Sequence, residues 1–217
     1  MFRIRIQNKK KCIWYCSAVV SFLLFLLLLG WTNHLANTQD AQQMAGRWSE
    51  KKDVAQISCF FSSKAEVTED TIQSFEYSLK NVLQEASITE TSENPSARLW
   101  VDAYSADGKI TLVNGKNTLD ANAIGIGGDF FMFHPLKLIT GAYFSGNDLM
   151  QDYCIIDQDA AWQLFGSNDV VGMTVYISNV PHIVTGVVQR PDSRMDKAAG
   201  LNSTVVYVSY GTLSAYG

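Results

Sequence analysis

Residues 12–31, CIWYCSAVVSFLLFLLLLGW, run for 20 positions with no charge and no polar face, which predicts a transmembrane helix. At about 1.5 Å per residue, such a run matches the roughly 30 Å hydrocarbon core of a bilayer. Trp14, Tyr15 and Trp31 sit near its ends, where amphipathic rings favour the headgroup region. Residues 32–53 are polar with scattered Leu35, Ala41, Met44 and Trp48, predicting a stalk that carries the helix outward and a linker near Gly46 to Asp53. The apolar QISCFF at 56–61 predicts a short buried strand. Ile72, Phe75, Leu79, Val82 and Leu83 recur at helical spacing over 69–86. Thr68 is placed to cap that helix, with Glu69 and Asp70 at its positive end and one face directed at a sheet. ARLWVDAYS then alternates, and Asp107-Gly108 predicts a hairpin turn between strands at 98–105 and 109–113; Asn114-Gly115 repeats the turn signal at once.

Of 15 glycines, 13 lie at or after Gly108, so the chain changes character there. YCII (153–156) predicts a strand, DQDAAWQLF (157–165) a helix capped by Asp157, and TVYIS with HIVTGVV a hairpin around Asn179-Val180-Pro181. The fold class is therefore α+β: one N-terminal transmembrane helix, then a mixed α/β layer subdomain with an inserted small β-rich subdomain at about 128–190. Together these fill residues 54–217.

Charge orients this arrangement. Residues 1–11 carry Arg3, Arg5, Lys9, Lys10 and Lys11 and no acid, while the rest of the chain holds 12 Lys and Arg against 21 Asp and Glu. The positive-inside rule puts this basic tail in the cytoplasm and residues 32–217 outside the membrane. A cleaved signal peptide is the alternative, but the run is long for its apolar region and WTNHLANTQ offers no small-x-small cleavage site. An acidic body argues against nucleic-acid binding, which needs clustered Lys and Arg. With 47% hydrophobic and 18% charged residues, the chain is not of the disordered class. Cys12 and Cys16 lie near the reducing side. Cys59 and Cys154 face the oxidising side and would be able to pair, but each sits in an apolar run, which favours buried free thiols.

No catalytic template is filled. GIGGDF at 125–130 breaks the G-x-G-x-x-G spacing, and Gly108 and Gly115 with Lys116-Asn117 do not make a P-loop. His34, His134 and His182 have no metal-ligand spacing, and no G-x-S-x-G elbow is present. Asp148, Asp152, Asp157 and Asp159 lack the calcium-loop pattern and read as loop acids and a helix cap. Asn202-Ser203-Thr204 is a formal glycosylation sequon. The expectation is a protein that is not an enzyme and carries no cofactor or metal.

GGDFFMFHPLKLITGAYFS, CIIDQDAAWQLFGSNDVVGMTVYI, HIVTGVV and VVYVSYGTL, in that order across 127–213, resemble the periplasmic core domain of MacB-type ABC transporter permeases. Leu138, Gly141 and Phe144 fill one family element; Ala161, Leu164, Phe165 and Gly166 fill the helix; Gly172 and Val175 fill the next turn; Val184, Gly186 and Val187 fill the last strand. Ala142 stands where the family commonly has Arg, and Ser209 where it has proline. The resemblance implies structural roles for these residues, with glycines at tight turns and Leu164-Phe165 burying a helix end.

It further implies the membrane-anchored outer domain of a permease, acting in recognition and mechanical coupling during export of peptides, drugs or lipid-linked molecules. The partners implied are an ABC ATPase subunit, which hydrolyses the ATP, the remaining permease membrane helices, and a homodimer partner. Such permeases continue through three further membrane helices, so the sequence to Gly217 resembles an N-terminal portion. The alternatives are a membrane-tethered sensor or partner-binding module outside transport, and an anchored extracytoplasmic hydrolase.

Overall fold

A computed structural model describes residues 2–38, 44–49, 54–88, 98–146, 148–190 and 203–217, which fall into two compact units, Met1–Gln56 and Ile57–Gly217. In the first unit, α1 spans Phe2–Thr38 and α2 Met44–Trp48. The part of α1 apolar enough to cross a membrane is Lys11–Leu35, 25 residues, none of it buried in the protein. At about 1.5 Å per residue this is roughly 37 Å, enough to cross with some tilt. The helix continues past Trp31 to Thr38, and the rest of the predicted stalk falls partly outside the described residues.

The second unit contains α3 (Glu69–Glu85), β1 (Ala103–Asn114), β2 (Asn117–Gly128), α4 (Phe130–Phe133) and β3 (Leu138–Gly141). These are followed by β4 (Tyr153–Asp157), α5 (Gln158–Phe165), β5 (Thr174–Ile177), β6 (Val180–Val188), β7 (Val205–Ser209) and α6 (Tyr210–Tyr216). The seven strands form one sheet in the order β3-β6-β4-β7-β2-β1-β5, and β5 also pairs with β6. That extra pairing closes six strands into a ring and leaves β3 as a flap on β6. Four of the seven strands come from the stretch expected to form a small β-rich subdomain, and they share this sheet with β1, β2 and β7.

Side-chain alternation separates two cores. Cys154, Ile156, Val206 and Val208 point to one face with Leu112, Val175, Val184 and the α5 residues Ala160, Ala161 and Leu164. Ile155, Tyr207 and Ile126 point to the other, with Phe130, Phe131 and Phe144. Val184 and Val187 share the first face although an odd number of positions separates them. A bulge opposite Cys154 and Ile155 resets the phase between them.

Four sequence expectations change. Asp107-Gly108 is not a turn: β1 runs through it and pairs with β2 from Ala103↔Gly128 to Asn114↔Asn117, so the hairpin turns at Gly115, φ +59°. Gly108 is glycine because α6 needs the space, since a Cβ there would lie 2.7 Å from Leu213 Cδ1. QISCFF forms no strand; Ile57, Phe60 and Phe61 are 87%, 95% and 67% exposed, and Cys59 is exposed rather than buried. A strand needs a laddered partner, and the ring closes on itself without this segment.

Helix α3 forms where its periodicity puts it, with the Thr68 side chain accepting from the Thr71 amide, but the face expected to pack on the sheet is only half-buried, at Ile72, Leu79 and Leu83. It has no buried residue, and Phe75 and Val82 are exposed. The sheet faces are already covered by α5, α6 and the aromatic cluster. Polar groups help hold this region: the Tyr210 hydroxyl donates to the Val67 carbonyl at 2.7 Å, and the Glu76 carboxyl interacts with that of Asp102.

Candidate functional site

The residues singled out from sequence lie around α5, the β5–β6 hairpin and the β3 flap. Asp157 caps α5, its Oδ1 accepting from the Ala160 amide at 2.7 Å. Gly166 ends α5 in the left-handed conformation, φ +74°, and its amide bonds back to the Trp162 carbonyl. The next open carbonyl, that of Leu164, is met by the side-chain amides of Asn114 and Asn117 at 3.2 and 2.9 Å. The β1–β2 turn therefore satisfies the end of α5. Ala161 and Leu164 are buried in the first core with Val175, Val184 and Val187, and Phe165 packs at its margin.

Gly172, φ +83°, turns the chain into β5, and its amide donates to the Val184 carbonyl at 2.8 Å. Gly141 and Gly186 face each other where β3 crosses β6. Gly141 has φ +86°, and a Cβ there would collide with the Thr185 carbonyl and lie 2.7 Å from Gly186 Cα. That contact lets the flap lie flat on the ring. It carries Leu138 and Phe144 into the second core, where Phe144 meets Phe131 edge-on at 5.7 Å. The motif residues thus divide between the two faces of the sheet and meet at the Gly141–Gly186 crossing.

Several structurally central residues are missed by sequence reasoning. Tyr143 stacks on Phe131 at 4.5 Å, and its hydroxyl is bonded to both the amide and the carbonyl of Leu136, closing the flap. His182 is buried at 1% exposure, with Nδ1 3.0 Å from the Val180 carbonyl and Nε2 3.3 Å from Thr212 Oγ1. Thr212 in turn donates to the Gln151 carbonyl at 2.9 Å and lies 2.9 Å from Ser209 Oγ. Asp157, read from sequence as the cap of α5, is also 1% exposed, and Arg190 pairs with it and with Asp159. Only Asp157 carried a sequence signal, its position before a helix.

The electrostatics follow burial. Desolvation pushes the Cys154 thiol up to about 12. It raises Tyr207 to about 12 as well, with smaller contributions from Asp157 and Tyr143. Tyr104 reaches about 12 through burial first and then Glu69, Asp102 and Glu76. Burial, and then the neighbouring Asp102, raise Glu76 above its ordinary value. No group of three His, Cys, Asp or Glu side chains converges among the described residues. The arrangement is a closed ring of strands with apolar cores, whose polar groups join elements together.

The model of the MacB-like periplasmic core domain family matches residues 20–217. Curated relatives include the macrolide export ATP-binding/permease protein MacB of Chromobacterium violaceum, 31% identical over 99 residues, covering 45% of this chain and 15% of that protein. The MacB of Neisseria gonorrhoeae is 33% identical over 85 residues, covering 38% of this chain and 13% of that one. The chain thus matches only about a seventh of the length of these relatives. Among solved structures, the periplasmic region of MacB from Actinobacillus actinomycetemcomitans is similar at 26% identity and TM-score 0.41, over 54% of this chain and 52% of that one. The extracellular domain of the ABC-type transporter YknZ from Gram-positive bacteria is similar at 23% identity and TM-score 0.42, over 52% and 56%. A family match running from within the apolar helix to Gly217 settles the family: the chain belongs to the MacB-like periplasmic core domain family.

Proposed function

We propose that this chain is the membrane-anchored extracytoplasmic domain of an ABC transporter permease, with residues 1–11 in the cytoplasm and the ring outside. It serves recognition and mechanical coupling in export of peptides, drugs or lipid-linked molecules. ATP is hydrolysed by a separate ATPase subunit, and the chain itself is not an enzyme. The observation that supports this reading is the extent of the family match, which takes in most of the apolar helix and the closed sheet together. A ring with buried cores on both faces suits force transmission, since a close-packed interior transmits displacement rather than absorbing it.

Affinity capture from membranes tests the reading. An ABC ATPase is expected to copurify when the chain is supplied with the remaining permease membrane helices, and not with residues 1–217 alone. Recovery of the ATPase by the chain alone would overturn the expectation that the ATPase docks on those membrane helices. Copurification of a receptor or kinase, with no ATPase in either arm, would favour the sensor reading.

A further inference from the structure

We propose that Asp157 is a positioning residue whose buried carboxylate clasps both ends of the connection between β6 and β7 to the start of α5. The inference is independent of the transport reading. Three elements meet at this one side chain. Oδ1 accepts from the Ala160 amide and caps α5. Oδ2 accepts from the Val205 amide at 3.0 Å, at the start of β7. Oδ2 also faces Arg190 Nε at 3.4 Å, two positions beyond the end of β6, and the same guanidinium reaches Asp159 through Nη2.

The ladder explains why a side chain is needed here. The β4–β7 pairing stops at Ile156↔Val206, so the next backbone donor outward, Val205, is taken by the Asp157 carboxylate instead of a strand carbonyl. On the other side Asp157 is the last β4 residue paired with β6, opposite Val188, which brings Arg190 within reach. The carboxylate is 2% exposed and Arg190 17%. A buried charge of this kind is retained only when partnered, and the two amides with the guanidinium satisfy it. Arg190 and Val205 are therefore held at one point by groups that do not belong to the residues between them.

Amide hydrogen exchange on the full chain in detergent micelles tests this, with Val205 as reporter. Arg190→Gln removes the cation and leaves the helix cap; Asp157→Asn weakens the acceptor itself. Both are expected to speed Val205 exchange by roughly 10- to 100-fold, the size of a hydrogen bond to a charged group, while Val184 and Val208 keep their protection. The double variant is expected to exchange at Val205 no faster than Asp157→Asn, because both changes act through the same carboxylate. Unchanged Val205 exchange in Arg190→Gln overturns the clasp. So does an equal loss of protection at Val184 and Val208, which would make the pair a general support of the ring. If Asp157→Asn does not fold, the Arg190→Gln comparison alone decides.

Discussion

Leu213 of α6 lies over two glycines, and this contact sets a measurable pattern of coupling. Leu213 is 7% exposed, so Leu213→Ala removes an almost fully buried isopropyl group. Lost transfer energy plus the cavity left behind give about 3 kcal/mol of destabilisation. The glycines below respond differently. At Gly108 an added Cβ meets Leu213 Cδ1 at 2.7 Å, the far end of a side chain that rotates. At Gly125 it meets Leu213 Cβ at 2.6 Å and Cδ2 at 2.7 Å, and the Cβ moves only if α6 moves. Gly108→Ala is therefore expected to cost about 1 kcal/mol and Gly125→Ala about 2 to 3 kcal/mol.

Truncating Leu213 clears every atom that crowds position 108, and the new methyl fills part of the vacated space. Gly108→Ala with Leu213→Ala should then be less destabilising than the sum of the singles by about 1 to 2 kcal/mol. The Gly125→Ala pair should recover less, because Leu213 Cβ persists in alanine. Urea unfolding of the full chain in micelles, followed by circular dichroism, measures each corner of the two cycles. Additivity within about 0.5 kcal/mol for the Gly108 pair would refute the reasoning, since independent sites add to that tolerance.

Two further outcomes are expected. Cys59 is exposed and Cys154 is buried with its thiol pushed up to about 12, so a membrane-impermeant maleimide added to intact cells at pH 8 should label Cys59 and spare Cys154 until the ring is unfolded. Absence of Cys59 labelling until the cells are opened would place the ring on the cytoplasmic side. Glu76 has its carboxyl raised by burial and by Asp102, so the protonated form stabilises α3 below the ordinary Glu value and that contribution is lost as pH rises through the raised value. Stability of the native chain relative to Glu76→Gln should therefore fall between acid and neutral pH, and a difference that rises with pH would contradict the pairing.

Local and periodic features were legible in the amino-acid pattern. The apolar run predicted the span within α1, helical spacing predicted α3, and the caps Thr68 and Asp157 predicted helix starts, because each depends on neighbours within a few positions. The hairpin of β5 and β6 and the strand at β4 were legible for the same reason. Within the candidate site, the family likeness implied structural roles for Gly141, Gly166 and Gly172, and each has a left-handed φ. Their partners were not visible, because the Thr185 carbonyl or the Asn114 and Asn117 amides reach the motif from other strands.

Tertiary structure decided the rest. Asp107-Gly108 carries a local turn signal, but a full-length ladder with β2 and the demand of Leu213 for space hold it extended. QISCFF has the composition of a strand, yet a strand exists only with a partner, and the pairing of β5 to both β1 and β6 closes the ring elsewhere. Amphipathic α3 announces an apolar face without saying what covers it, and the sheet faces are filled by other residues. The chain alone thus determined the elements whose energy is local. Which elements touch, and which charges are buried together, depended on closure of the ring, a global condition that no short window of residues contains.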